Sequence, residues 1–208
     1  MRKMGVISAV LLSMALLVSS SLGAGPASLK NYSADMETTT SHGSFISKIY
    51  YKDTKMRMES NTRGQASINI LRPDKKVMWM LMGDSKTYME MKLDMSQQDI
   101  QSRLQDPNIK TEKEFIANEV VDKHPAKKYH ITTITDGRKE KAGYIWEASD
   151  LSNFPVKYES EDRKTTTVWK NIKMGGVTDA AFEVPAGYKK MDMPSMPGMG
   201  RGAKKQKH

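Results

Sequence analysis

Residues 72–91 alternate turns with short apolar runs. Val77, Trp79 and Leu81 interleave with Met78, Met80 and Met82, so no polar side chain falls between Val77 and Met82. Successive side chains of a strand point to opposite faces. Two apolar faces predict a strand buried on both, against a core on one side and a helix, cavity or ligand on the other. After a turn at Gly83-Asp84-Ser85, Met89 and Met91 share one face of the next strand, opposite Tyr88 and Glu90.

The period-two signal runs through most of the chain. Residues 32–40 alternate weakly, Phe45, Ile49 and Tyr51 fall at even spacing, and Met56-Arg57-Met58-Glu59 alternates strictly. Ile68, Ile70 and Arg72 lead into Pro73-Asp74-Lys75-Lys76, a turn with proline where its fixed φ suits. One segment departs from this rhythm. Ser96 and Asp99 approach a capping box, Met95 reaches Ile100 as a staple, and Leu93, Ile100 and Leu104 share a helical face. An amphipathic helix is predicted over 96–105, ended by Asp106-Pro107 and able to lie across a sheet.

The meander then resumes. Strands are predicted over 114–121 (with 111–117 as its start), 129–135, 144–147, 155–159 and 165–174. Turns fall at 122–125, at Asp136-Gly137, at 150–153 and at Gly175-Gly176. Beyond Tyr188 the chain is mostly Met, Pro, Gly and Lys, too poor in other apolar residues to pack, and 191–208 is expected to be a disordered tail.

The start of the chain changes the picture. Arg2 and Lys3 precede an apolar run over 6–18, too short for an ordinary membrane span, and small residues follow to Ala24. Residues 1–24 are read as an export signal cleaved near Gly23 or Ala24, leaving one domain over 25–190 in the periplasm with no further segment able to cross a bilayer. The 208 residues include no cysteine. That rules out disulfides, thiolate metal sites, a cysteine nucleophile and a lipid-attachment cysteine, so a soluble protein is expected. The 33 basic and 24 acidic residues give a net charge of +9. The lysines are scattered, apart from Lys204, Lys205 and Lys207, and export argues against a nucleic-acid partner.

Catalytic signatures are missing from the sequence: no G-x-S-x-G elbow, phosphate loop, H-E-x-x-H or glycine fingerprint. Histidines 42, 124, 130 and 208 lack metal-ligand spacing, and Asp35, Glu37, Glu59 and Glu90 stand singly on strand faces. A non-enzymatic protein without a cofactor is expected. Methionine is the unusual component, at 17 residues, many in pairs. Its unbranched, polarizable side chain adapts to irregular apolar partners. Met56, Met58, Met78, Met80, Met82, Met89 and Met91, with Ile100 and Leu104, are the candidate apolar ligand wall; ordinary core filling is the competing role. Thioethers also ligate Cu(I). The spacing of Met191, Met193, Met196 and Met199 is the alternative metal candidate, although Pro-Met-Pro-Gly-Met is also low-complexity sequence.

Four segments carry a family resemblance: residues 50–59 (YYKDTKMRME), 70–80 (ILRPDKKVMWM), 86–91 (KTYMEM) and 182–191 (FEVPAGYKKM). Through them the chain resembles the exported bacterial DUF4412 family, within the LolA/LolB-like lipoprotein-carrier superfamily. The resemblance implies a mainly β fold, an open curved antiparallel half-barrel of about ten strands with one to three helices on its concave side. It further implies a concave surface that holds lipid or lipoprotein acyl chains. The partners expected are an apolar ligand and an envelope protein, with oligomeric state left open. The matched motifs contain no reactive group, so the resemblance assigns no individual ligand residue.

Overall fold

The protein is described by a computed structural model covering residues 31–62, 64–93, 109–135 and 137–191. Alternating apolar residues form β1 (Asn31–Thr40), β2 (Gly43–Lys52), β3 (Lys55–Thr62), β4 (Gln65–Arg72), β5 (Val77–Met82) and β6 (Thr87–Lys92), an uninterrupted antiparallel meander. A second meander comprises β7 (Ile109–Val121), β8 (His124–Thr135), β9 (Arg138–Ala148), β10 (Phe154–Ser160) and β11 (Thr166–Met174). The two join where β1 pairs with β11, and a hydroxyl–hydroxyl bond of 3.1 Å links Thr38 to Thr167 at that seam.

With β12 (Lys189–Lys190), the described strands make one open sheet in the order β12-β6-β5-β4-β3-β2-β1-β11-β10-β9-β8-β7. The rings of Tyr32 on β1 and Phe154 on β10 come within 4.9 Å although β11 lies between these strands. A sheet curled toward this face brings them together, as the right-handed twist of a many-stranded sheet favours. Ala34, Met36, Ile49, Met58, Ile131, Ile145 and Trp169 belong to the buried cluster that also contains Phe154.

Several expectations need correction. The open antiparallel sheet is as expected, with twelve strands among the described residues where about ten are predicted, and one pairing is parallel: β12 lies beside β6. The turn predicted over 122–125 is shorter. Asp122 and Lys123 both take positive φ, a two-residue hairpin connection, and His124 and Pro125 already belong to β8. The helix predicted over 96–105 lies outside the described residues. Among the described residues the helical pieces are 3-10 turns at Pro73–Lys75, Ser149–Leu151 and Asp179–Phe182. One glycine is dictated by packing. Gly143 has φ of +124°, and a Cβ there would sit 2.2 Å from the carbonyl oxygen of Glu159 on the neighbouring strand.

Candidate functional site

Register places the predicted methionines together. Residues directly opposite each other in a pair of strands share a face. One row across β2 to β6 reads Tyr51, Met56, Leu71, Met78, Met91; the next reads Ile49, Met58, Asn69, Met80, Met89; the third reads Ser47, Ser60, Ser67, Met82, Thr87. None of these side chains is charged. All seven methionines singled out in the sequence lie on this face, and β1 extends it with Tyr32, Ala34 and Met36.

Burial divides them. Met36 and Met58 are each 2% exposed and belong to the core toward β1. Met56, Met78, Met80, Met82, Met89 and Met91 are half-buried. The expectation that β5 is buried on both faces is therefore wrong for its methionine side. Trp79 and Leu81 are buried on one face, whereas Met78, Met80 and Met82 stay partly open on the other. Alternation identified the two faces but could not say that the described cover lies on one of them. Ile100 and Leu104 lie outside the described residues, as do Met193, Met196 and Met199. Met191 is exposed, and its N–H donates to the Tyr88 carbonyl at 2.8 Å.

The opposite face carries Lys48, Lys52, Lys55, Arg57, Glu59, Arg72, Glu90 and Lys92 around Ile68, Ile70, Trp79 and Leu81. The segment after β11 runs across it as a strap. Val177 and Phe182 are buried there in one cluster with Ile70, Trp79 and Leu81. Asn31 fixes the start of the strap. Its amide nitrogen donates to the Val177 carbonyl at 3.1 Å, and its amide oxygen accepts from the Val177 N–H at 3.0 Å. Arg57 donates to the Ala181 carbonyl at 3.1 Å.

Arg72 is the pivot of this face. Its guanidinium grips both oxygens of Asp74 at 2.8 and 2.6 Å, and donates to the Phe182 carbonyl at 3.1 Å and to Glu183 at 2.5 Å. The hydrogen bond from Arg72 holds the Asp74 carboxyl below its usual range, and Lys75 followed by Arg72 does the same for Glu183. Lys52 and Lys55 both pair with Asp179, lowering its pKa to about 2. At the sheet edge Glu90 accepts from Lys190 at 2.8 Å and from the Trp79 indole N–H at 3.0 Å, and these bonds depress its pKa. Sequence reasoning missed the strap. Its apolar residues Val177, Phe182, Val184 and Tyr188 have no regular period, and its ion-pair partners are more than a hundred residues away in sequence.

Two of the histidines that lack metal-ligand spacing each meet one carboxylate. His124 lies 2.8 Å from Asp150 and His130 lies 2.9 Å from Glu161. Among the described residues, no three or more His, Cys, Asp or Glu side chains are grouped to hold a metal.

The fold is similar to that of an uncharacterized conserved protein from Thermus thermophilus, with a TM-score of 0.54 at 10% identity, over 86% of this chain and 98% of that one. The MucA/MucB complex of Pseudomonas aeruginosa is similar at a TM-score of 0.45 and 8% identity, over 83% of this chain and 60% of the other. The LolA superfamily protein NE2245 from Nitrosomonas europaea is similar at 0.34 and 9% identity, over 82% of this chain and 96% of the other. At such identities the likeness is one of fold. No curated protein matches the chain significantly. A family model does match, over residues 33–154, which leaves the strap beyond the matched region. That match spans more than half of the chain, and the protein belongs to the family described as Domain of unknown function (DUF4412).

Proposed function

We propose that this is an exported, non-enzymatic binding protein whose methionine face takes up an apolar ligand, an acyl chain of a lipid or lipoprotein being the class that fits. One observation carries the reading. Six half-buried methionines stand side by side on a face that carries no charged side chain across β2 to β6, with Lys189 of β12 beside Thr87 at its edge, while the reverse of the same strands is already packed by the strap. Burying acyl carbons against such a surface contributes about 0.8 kcal/mol per methylene, and methionine conforms to chains of different shape at little cost. The leader-like residues 1–24 support export. In the superfamily the chain resembles, a sheet of this kind carries acyl chains between envelope proteins, so an envelope partner that loads or unloads the ligand belongs to the same reading.

The test is native mass spectrometry, with solvent extraction, of protein purified from its own cell envelope, alongside uptake of the uncharged dye Nile red. Co-purifying lipid and saturable dye uptake are expected, the latter reduced about tenfold by Met80→Gln, which places an amide in the middle of the face. Protein that is repeatedly empty and takes up no dye overturns the proposal.

A further inference from the structure

The edge of the methionine face gathers thioethers from β5, β6 and the residue that follows β12. Met80 on β5 stands directly opposite Met89 on β6, and Met78 stands opposite Met91 in the adjoining row. β12 adds to this edge through the only parallel pairing among the described strands, with Lys189 opposite Thr87 and Lys190 opposite Tyr88. The N–H of Met191 continues that ladder by donating to the Tyr88 carbonyl at 2.8 Å. Met191 therefore stands beside Met89, on the same face as Lys189 two residues before it. One row at the sheet edge accordingly reads Met80, Met89, Met191, although Met191 lies more than a hundred residues beyond Met89 in sequence.

Neighbouring strands lie about 4.8 Å apart, and rows on one face about 7 Å apart along the strand. A methionine side chain turns about three rotatable bonds and carries its sulfur near the end. The thioethers of Met80, Met89 and Met191 can therefore converge on a single ion above Met89, with Met91 in reach from the adjoining row. None of the three is sealed in a core: Met80 and Met89 are half-buried, and Met191 is exposed. The surroundings choose the ion. Across β2 to β6 this face holds no carboxylate or imidazole, so a hard or borderline divalent cation finds neither its ligands nor a counter-charge. Neutral, soft thioethers suit a soft monovalent ion, Cu(I) above all. Lys189 puts a positive charge one row away. It weighs less on a monovalent ion than on a divalent one, and water at the exposed edge screens it.

We infer that Met80, Met89 and Met191 form a binding site for Cu(I) at the edge of the sheet made by β5, β6 and β12. The inference is independent of the acyl-binding reading, since ligation needs the sulfur atoms and acyl contact needs only their apolar bulk. It also moves the soft-metal chemistry from the Pro-Met-Pro-Gly-Met stretch to the folded sheet. The pairing of β12 sets Met191 at the end of a row of thioethers, and without that pairing the row is one ligand short.

The experiment is a titration of the purified full chain with Cu(I), in the absence of oxygen, against bicinchoninate as a competing chelator whose coloured copper complex reports the exchange. The protein is expected to withdraw a single Cu(I) per chain, and Zn(II) in about tenfold excess should not compete. Met89→Leu and Met191→Leu should each weaken Cu(I) binding about tenfold or more, because leucine keeps the apolar volume and removes the sulfur. Met191 is exposed, so the second variant does not put folding at risk. Exchange of the Met191 amide should slow when copper binds, since the ion then holds that residue against β6. A chain with Met193, Met196 and Met199 all replaced by leucine should bind as tightly as the original. Loss of affinity in that chain assigns the ion to the tail and overturns the inference. Full affinity in both Met89→Leu and Met191→Leu overturns it too, as does a protein that leaves all the copper with the chelator. Copper binding by protein that takes up no Nile red would uphold this site and remove the acyl-binding reading. Dye uptake without copper binding overturns the site and leaves that reading intact.

Discussion

The two faces of β4, β5 and β6 are made from the same backbone and face opposite conditions. On one, Ile70, Trp79 and Leu81 are sealed under Val177 and Phe182, and the rim is clamped by Arg72, Asp74, Glu183, Lys52, Lys55 and Asp179. On the other, Met78, Met80, Met82, Met89 and Met91 remain half-open, and the charge that borders their rows is Lys189, opposite Thr87 at the sheet edge. One face therefore holds the strands in place, and the other is left to do something else. A sheet that were merely finishing its core would not need its stability concentrated on one side.

The largest test of this contrast is a pair of truncations. Phe182→Ala empties a fully buried ring site and should cost about 3–5 kcal/mol in urea denaturation. Met80→Ala, from a partly open surface, should cost about 1 kcal/mol. Equal losses would erase the distinction between the faces. Next in size is Arg72→Met, which leaves Asp74 and Glu183 without their guanidinium. Removing one member of a fully buried pair costs about 3–5 kcal/mol, but both carboxylates here still reach water, so about 2 kcal/mol is expected in the same assay. A loss no greater than that of Met80→Ala would deny the clamp its role.

The smallest effect is on pH. Asp74, Asp179, Glu90 and Glu183 all have folded pKa values held below their ordinary ones. Groups depressed in this way contribute stability above their unfolded pKa and lose it as pH falls through the folded one. For Asp179 that window runs from 3.8 down to about 2. Hydrogen exchange at the amides of Lys189 and Met191, which bond to Lys86 and Tyr88, should rise there faster than exchange in β1. Uniform loosening of both regions would show that the strap has no separate acid response.

The strands were legible because period two is written locally: Met56-Arg57-Met58-Glu59 and Val77 to Met82 declare their faces without help from the rest of the chain. The grouping of the methionines was legible only as a conditional, since it required β3, β5 and β6 to share a sheet face in register. Their pairing through β4 supplies that register. Asn69 and the serine row drew no notice in sequence, because a lone polar residue on an alternating strand looks the same whether it faces water or a site. The strap was illegible for a different reason. Its contacts are single long side chains reaching across the fold, as from Lys52 to Asp179 or Arg72 to Glu183, and no local period encodes such pairs.

The seam between β1 and β11 has a consequence for how the molecule is made. Apart from that seam, the strap and β12, strand neighbours in the described sheet are also neighbours in sequence, joined by short hairpins that close quickly. The contact between Thr38 and Thr167 instead spans 129 residues. Each meander should therefore form from local contacts, and the first described strand must wait, one edge unpaired, for nearly the last. Thr38→Val should accelerate unfolding and leave the refolding rate almost unchanged. Slowed refolding would instead place the seam among the earliest contacts. Until it closes, the β1 edge is where a chaperone would have most to protect.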